Sequence, residues 1–192
     1  MEYRLTRQQL WDILEGWDKY VPGKTRLVAC GGTALTVQSI KPSTKDVDFL
    51  VPEEGEYKYK ALLRTIEKLG YQRKTGSGWA RGEGFIFDLF MGKRVFVNEL
   101  LESSLLPGNH IPIKRFKKIE VMALNDHDLI ISKMFRGTSV DIDDCKRLIE
   151  ARGEGFDLDK LKARYEETAS YDTNPDKVMG NLEILLDRLG KD

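Results

Sequence analysis

The sequence predicts an α+β fold, in which a small mixed β-sheet with flanking helices is followed by a C-terminal helical part. Most apolar runs of strand length lie in the first 122 residues, whereas helical periodicity dominates residues 123–192. Segregation of strands and helices along a chain is typical of α+β proteins. With 192 residues and 41% hydrophobic content, the chain can bury a core. We therefore expect an α/β core with an N-terminal helix over residues 1–122 and a helical region over residues 123–192.

The strands are predicted from short apolar runs bounded by glycine, proline and polar residues. The predicted strands are residues 26–30, 46–51, 71–74, 85–90, 94–97, 111–114 and 118–122. The glycine-rich stretch Gly76–Gly84 lies between two of them. It lacks a Gly-Lys-Ser/Thr sequence and no helix follows it, so we interpret it as a flexible hairpin connection rather than a phosphate loop.

The helices are predicted from apolar residues at helical spacing and from end signals. The predicted helices are residues 6–19, 32–40, 55–69, 98–105, 126–136, 141–151, 157–168 and 175–189. Thr6 and Gln9 form a capping box for the first helix, and Gly70 follows the third. Pro175 stands in the first turn of the last helix, where its missing N–H costs nothing.

A pair of aspartates at the start of an apolar strand is the main functional signal. Asp46 and Asp48 are two residues apart, so on a strand their side chains project from one face. Adjacent carboxylates raise each other's pKa unless a cation lies between them. Mg²⁺ prefers oxygen ligands, often one or two carboxylates together with substrate phosphates. Most such pairs in proteins are solvated, but the apolar residues that flank this one favour a metal site.

A third carboxylate, Asp88, interrupts the otherwise apolar run Phe85–Phe90. A buried carboxylate is normally paired or bound to a metal. Together with the Asp46 and Asp48 pair, Asp88 would complete a site for two divalent ions, which is typical of phosphoryl and nucleotidyl transfer. A salt bridge from Asp88 to Arg81 or Lys93 is the alternative.

Three segments carry a family resemblance: Gly31-Gly32-Thr33-Ala34-Leu35, Thr44-Lys45-Asp46-Val47-Asp48, and Asp88. Together they resemble the DNA polymerase β-like nucleotidyltransferase superfamily, in particular its small prokaryotic branch with the toxins of type IV (AbiE-like) toxin–antitoxin systems. The resemblance extends over about residues 26–150, where Asp128–Arg136 and Asp141–Leu148 are similar to two helices of that branch.

The resemblance implies roles for individual residues. Gly31, Gly32 and Thr33 would cradle a nucleoside triphosphate, and Thr44, Lys45 and Lys133 would lie beside it. Asp46 and Asp48 would bind Mg²⁺ or Mn²⁺, and Asp88 would complete the triad and help to activate the acceptor hydroxyl. Many members carry an arginine before the Thr-x-Asp sequence, where this chain has Lys41 and Lys45, so the identity of the triphosphate-binding cation stays open.

The helix around Lys133 leaves two interpretations open. Lys133 lies among apolar residues, so its amine either extends to water or points at nucleotide phosphates. Asp141 and Asp144 are one helical turn apart. Either both are plain helix N-terminal acids, or Asp141 pairs with Lys133 or Arg136 and orients it.

Composition excludes several protein classes. Lys and Arg together number 31, as do Asp and Glu, so the formal net charge is zero, which argues against avid non-specific polynucleotide binding. Residues 114–118 are nevertheless a local basic cluster. Cys30 and Cys145 are far apart in the sequence, which argues against a zinc site or a disulfide framework. No signal peptide or membrane-spanning stretch is recognised, so we expect a cytoplasmic protein.

The residues and the resemblance together predict a metal-dependent nucleotidyltransferase that uses NTP. The acceptor is RNA such as tRNA, a protein or a small molecule, and a cognate antitoxin is an implied partner. A catalytically silent nucleotide-binding or interaction module of the same fold is the alternative, and a nuclease that uses the same metals is another.

Overall fold

The computed structural model describes residues 4–52, 56–82 and 84–190, and a mixed β-sheet forms its centre. The strands are β1 (Leu5–Thr6), β2 (Thr25–Ala29), β3 (Ser43–Thr44), β4 (Val47–Val51), β5 (Gln72–Arg73), β6 (Gly78–Ala80), β7 (Phe87–Met91), β8 (Arg94–Val95), β9 (Asn98–Glu99), β10 (His110–Arg115) and β11 (Ile119–Leu124). A seven-stranded sheet has the order β10-β11-β2-β4-β7-β6-β5. Its β11–β2 and β4–β7 pairs are parallel and its other pairs are antiparallel.

Helices lie between the strands and fill the C-terminal part. The helices are α1 (Arg7–Asp18), α2 (Gly31–Val37), α3 (Glu56–Lys68), α4 (Asp126–Met134), α5 (Ser139–Arg152), α6 (Leu158–Ala169) and α7 (Pro175–Leu189), with a 3-10 turn at Gly153–Gly155. This architecture confirms the predicted α+β class.

The central strands β2 and β4 position the candidate site. They pair antiparallel, with Val28 opposite Leu50 and Ala29 opposite Phe49, and every residue of β4 is buried. Near-continuous apolar runs suit strands that are covered on both faces. The chain leaves β2 through Cys30 and turns at once into α2, so the start of α2 lies beside the start of β4.

Local signals predicted most element positions to within two or three residues. The capping box is present: the Thr6 backbone N–H donates to Gln9 Oε1 at 2.9 Å, and Gln9 N donates to Thr6 Oγ1 at 3.3 Å. Helix α2 ends at Val37 rather than at residue 40, and Ser39 just beyond it has a positive φ of 64°, which a helix does not accommodate.

Two predictions in the middle of the chain are wrong. Residues 98–105 are not a helix, because Asn98–Glu99 forms β9 in a short hairpin with β8, and the chain then continues through turns. The glycine-rich stretch 76–84 is not only a connection, because Gly78–Ala80 forms β6 within the main sheet. Residue 55 of the predicted third helix and residue 83 of the glycine-rich stretch lie outside the described residues.

The C-terminal helices share one core with the sheet. Leu35 of α2, Leu129 of α4 and Leu182 of α7 belong to a single cluster of buried apolar residues. The predicted division of the chain after residue 122 falls inside β11 and stays a prediction. Among the described residues, no helix combines the length and the apolar character that crossing a bilayer requires. Cys30 and Cys145 are buried free thiols.

Candidate active site

A cleft of about 590 Å³ lies where α2 and β4 begin, and it brings together most of the predicted site residues. It is lined by the predicted residues Gly32, Thr44, Lys45, Asp46, Asp48, Asp88 and Lys133. Arg4, Lys41, Phe96, Arg136, Thr138, Val140, Asp141 and Asp144 complete the lining. Segments far apart in the sequence therefore form one polar cavity with both carboxylates and cations on its walls.

The glycine pair permits a close approach between α2 and the aspartate strand. Gly31 has a φ of 55°, and a Cβ built on it would lie 2.3 Å from Asp48 Oδ2. A Cβ on Gly32 would lie 2.7 Å from Thr44 Oγ1. Only glycine leaves room for the Asp48 carboxylate at this turn. A triphosphate cradle at the glycine pair stays a prediction.

Two threonine hydroxyls shape the loop that carries the aspartates. Thr33 Oγ1 accepts a hydrogen bond from Asp48 N at 2.9 Å and donates to the Asp46 carbonyl at 3.3 Å. Thr44 Oγ1 donates to the same carbonyl at 2.7 Å. Because Thr33 is fully buried, its visible role is to fix the backbone of Asp46 and Asp48. Contact of either hydroxyl with a nucleotide stays a prediction.

Asp48 and Asp88 are neighbours across the sheet. They are register partners in the parallel β4–β7 pair, so their Cα atoms lie side by side. Asp48 is 6% exposed. Asp46 lies in the bend just before β4, whereas the sequence predicted that it would be the first residue of the strand. Asp88 Oδ1 accepts a hydrogen bond from Ser77 Oγ at 2.7 Å. Lys93, which was one alternative partner for Asp88, pairs with Glu99 at 3.5 Å.

The negative charges of Asp46 and Asp88 disfavour ionisation of the buried Asp48 carboxyl. Burial, followed by the charges of Asp88 and Asp46, raises the pKa of Asp48 to about 7, although Arg136 and Lys133 oppose the shift. A cation between the carboxylates would remove this penalty. The electrostatics of the cleft therefore favour a bound cation next to Asp48.

The donor set fits a divalent cation that also takes ligands from a substrate. Among residues 4–52, 56–82 and 84–190, no three His, Cys, Asp or Glu side chains are placed to hold one ion. Asp48 and Asp88 offer hard oxygen donors from adjacent strands. Mg²⁺ is commonly bound by one or two carboxylates, water and substrate phosphates, which this pair can support. Ligation by all three aspartates stays a prediction.

A buried ion network forms the opposite wall of the cleft. Lys133 is 2% exposed, and its Nζ lies 2.8 Å from Asp144 Oδ2 and 3.3 Å from Asp141 Oδ1. Lys41 pairs with Asp144 at 2.7 Å, and Arg136 pairs with Asp141 at 2.6 Å. The interpretation in which the Lys133 amine extends to water is therefore wrong. Asp141 and Asp144 pair with Lys133 and Arg136, as the second interpretation of these acids holds.

Sequence reasoning did not single out Phe96, which lines the cleft, or Ser77, which hydrogen-bonds Asp88. The Arg136 guanidinium lies 3.8 Å from the centroid of the Phe96 ring, and Phe96 adopts a φ of 53° in the turn between β8 and β9. Ser77, which hydrogen-bonds Asp88, comes from the connection to β6. No local pattern marks Phe96, whereas recognising β6 as the partner of β7 would have placed Ser77 beside Asp88.

Comparisons with known proteins connect this geometry to a fold. Residues 108–189 match the family described as "Nucleotidyltransferase of unknown function (DUF6036)", which is less than half of the chain. The crystal structure of ANT(2'')-Ia in complex with adenylyl-2''-tobramycin is similar with a TM-score of 0.57 and 15% identity, over 85% of this chain and 97% of that chain. The chain has the fold of ANT(2'')-Ia. The solution structure of this antibiotic-resistance factor gives a TM-score of 0.59 and 14% identity, over 96% of this chain and 100% of that chain.

Two further comparisons add little. A putative nucleotidyltransferase from H. pylori is similar with a TM-score of 0.47 and 16% identity, over 95% of this chain and 84% of that chain, which is too weak to support an argument. No curated protein matches the chain in sequence.

The family match and the fold support a place in the nucleotidyltransferase superfamily. The match covers Lys133, Asp141 and Asp144 but not the Gly-Gly-Thr turn or the three aspartates, which carried most of the sequence resemblance. It also reaches residue 189, so the last 40 residues, which the resemblance had left out, are mostly included. The narrower likeness to the AbiE-like branch stays a prediction.

Gly31→Ala tests the close approach at the turn. We expect the variant to lose about 1–3 kcal/mol of unfolding free energy, because it strains a positive φ and pushes a methyl group against Asp48. Gly23→Ala is the matched control, because nothing lies within 4 Å of the Cβ position at Gly23. Urea denaturation of both variants measures the difference. Equal stabilities would show that the turn is not constrained by the Asp48 carboxylate.

Proposed function

We propose that the chain is a metal-dependent nucleotidyltransferase that transfers a nucleoside monophosphate from NTP to a hydroxyl group of an acceptor. The observation that carries the proposal is that Asp48 and Asp88 are register partners in a cleft whose lining also holds Lys41, Lys133 and Arg136. The superfamily assignment and the fold of ANT(2'')-Ia support the same reaction class.

In the proposed reaction, the acceptor hydroxyl oxygen forms a bond to the α-phosphorus of the NTP. The bond from that phosphorus to the bridging oxygen of the β-phosphate breaks, and pyrophosphate leaves. We propose that Asp88, which accepts a hydrogen bond from Ser77 Oγ, takes up the hydroxyl proton. Mg²⁺ or Mn²⁺ bound at Asp48 and Asp88, with Asp46 nearby, would neutralise the triphosphate and the developing charge.

The cationic wall would bind the triphosphate. The side chains of Lys41 and Arg136 are 16% and 29% exposed, so both can reach a ligand in the cleft. Lys133 is buried between Asp141 and Asp144, and we propose that it fixes these acids, which in turn hold Arg136 and Lys41. Lys45 also lines the cleft. Transfer then depends mainly on positioning and electrostatic stabilisation, as in phosphoryl transfer generally.

Several parts of the proposal come from the sequence alone. The acceptor class, a cognate antitoxin, a toxin–antitoxin context and a cytoplasmic location are predictions. The bound adenylyl-2''-tobramycin of ANT(2'')-Ia is an adenylylated small molecule, so this fold can hold a product of the proposed kind in that protein. A small-molecule acceptor is therefore tested beside RNA and protein.

Labelling with each of the four α-³²P-NTPs tests the reaction. The protein is incubated with Mg²⁺ or Mn²⁺ and with separate RNA, protein and small-molecule fractions of a host lysate. We expect label to enter one fraction with the wild type and none with the Asp46→Ala/Asp48→Ala variant. That variant removes two of the proposed metal-binding carboxylates.

Three other outcomes would contradict the proposal. Calorimetric binding of Mg-NTP without label transfer to any fraction would favour the silent nucleotide-binding module. Cleavage of RNA or DNA without NTP would favour a nuclease. Label transfer that persists in the double variant would show that the aspartates do not carry the reaction.

A further inference from the structure

A second concave surface lies at the other end of the sheet from the active-site cleft. This basic groove has a volume of about 420 Å³ and is formed by residues 24–26, Lys58 and residues 115–120. Six basic residues and one acidic residue line it. Because the whole chain has a formal net charge of zero, this concentration of positive charge is local to the groove.

We infer that the basic groove binds the phosphate backbone of a polynucleotide. Its cations come from three separate segments that converge on one trough, so a chain of phosphates can contact several of them in succession. Such contacts release counterions and supply most of the affinity in non-specific nucleic-acid binding. This inference does not depend on the proposed transfer reaction.

The groove is a built feature rather than a row of loose lysines. The Asp18 carboxylate accepts hydrogen bonds from Lys118 N at 2.7 Å and Ile119 N at 2.6 Å, which fixes the hairpin that carries the cations. Lys118 Nζ donates to the Val21 carbonyl at 2.7 Å, so its charge is held at the rim. Glu120, the acidic residue of the groove lining, pairs with Arg115.

An aromatic side chain adds a second feature of nucleic-acid sites. Phe116 lies in the groove and is half-buried, with the Lys114 ammonium 5.0 Å from its ring centroid. Aromatic rings among cations serve as stacking platforms for unpaired bases. Proteins that bind anionic lipid surfaces commonly do so with an amphipathic helix. This groove is formed mainly by strand ends and a hairpin, which favours a polynucleotide over a lipid surface.

The groove and the cleft lie at opposite ends of β2. Thr25 at the start of β2 lines the groove, and Gly32, three residues past its end at Ala29, lines the cleft. Five residues of strand at about 3.3 Å each separate the two by roughly 17 Å. The groove is therefore a separate surface, and ligand binding to it can be measured independently of the cleft.

Fluorescence anisotropy with a labelled 30-nucleotide RNA, in EDTA and without NTP, tests the inference. We expect Lys24→Glu/Lys117→Glu to weaken binding at least tenfold and to lower the slope of log affinity against log salt concentration by about two. Both lysines are exposed groove residues. Lys160→Glu/Lys177→Glu is the control, because it makes the same charge change at exposed sites on α6 and α7, and we expect it to stay within twofold of the wild type.

The remaining probes separate the possible ligands. A 30-base-pair DNA duplex tests whether the groove binds DNA as well as RNA. Binding of either polynucleotide supports the inference. Equal weakening by both double variants would overturn it, as would binding only to polyglutamate or to phosphatidylserine vesicles. Because the binding assay contains EDTA and no NTP, it reports on the groove whether or not the protein transfers nucleotides, so failure of the transferase proposal would not be mistaken for failure of the groove.

Discussion

Asp48→Asn is expected to reduce nucleotidyl transfer by at least a thousandfold while leaving the fold intact. Asn keeps the size of the side chain but removes the negative charge that would hold a divalent cation beside Asp88. Loss of the ion would remove its stabilisation of the triphosphate and of the leaving pyrophosphate, a term worth several kcal/mol in metal-assisted transfer. Single-turnover label transfer at saturating Mg-NTP measures the effect.

The same substitution is expected to make the metal-free protein more stable. Burial and the Asp88 charge raise the pKa of Asp48 to about 7 from its ordinary value of 3.8. A carboxylate whose pKa is raised on folding binds its proton more tightly in the folded state, so it lowers stability as the pH rises from about 4 to about 7. In EDTA, we expect Asp48→Asn to exceed the wild type by roughly 2–4 kcal/mol above pH 7 and by little near pH 4.

The Asp143→Asn variant is the matched control for both measurements. Asp143 lies on the surface of α5, where its 64% exposed carboxylate pairs with Arg188 at 3.0 Å. We expect this variant to change neither transfer nor stability by more than about 0.5 kcal/mol. An Asp48→Asn protein that retains transfer would contradict the metal assignment, and one that is destabilised in EDTA at pH 7 would contradict the electrostatic account of the cleft.

Sequence reasoning predicted the local backbone of the candidate site. The turn at Gly31-Gly32 and the apolar strand that carries Asp48 were visible because each depends on neighbours within a few residues, whereas Asp46 lies in the bend before β4 and not on the strand. The buried environment of Asp48 followed from the apolar residues around it. Structure was needed for the register between β4 and β7, which places Asp88 beside Asp48.

The missed features have two causes, which are long-range pairing and strands too short to show a pattern. Lys41 and Asp144 are 103 residues apart in the chain, and nothing in either segment indicates the other. Strand β9 was mistaken for the start of a helix because it is only two residues long. Such a short strand carries too few residues for a period-two pattern. Phe96 was assigned to the preceding strand, whereas it lies in the turn between β8 and β9.

Lys133→Met is expected to destabilise the protein by about 3 kcal/mol, because it leaves two buried carboxylates without the ammonium between them. Lys133 is 2% exposed and lies within ion-pair distance of both Asp141 and Asp144. Met keeps most of the packing of the lysine stem, so the loss reports on charge rather than on volume. Equilibrium unfolding in urea measures it, and a loss below about 1 kcal/mol would contradict the buried network.

A compensating variant distinguishes lost charge from lost packing. Lys133→Met/Asp144→Asn also removes one of the two carboxylates that lost the Lys133 ammonium. We expect it to recover at least half of the unfolding free energy that Lys133→Met loses. Lys41, the other partner of Asp144, is 16% exposed and can turn to water at small cost. Lys162→Met is the surface control, because its pair with Asp159 is 3.8 Å long and solvent-exposed, and it should stay within about 0.5 kcal/mol of the wild type.

The effect of Lys133→Met should also depend on pH in a defined direction. Burial raises the pKa of Asp141, but Lys133, a hydrogen bond from Thr138 and Arg136 outweigh it and hold the pKa below the ordinary value of 3.8. Stability from a carboxylate with a lowered pKa is present above that ordinary value and is lost as the pH falls through the folded-state pKa. The gap between wild type and Lys133→Met should therefore be full at pH 7 and shrink below about pH 4. If the gap is the same at both pH values, packing rather than charge is what Lys133 supplies to this wall of the cleft.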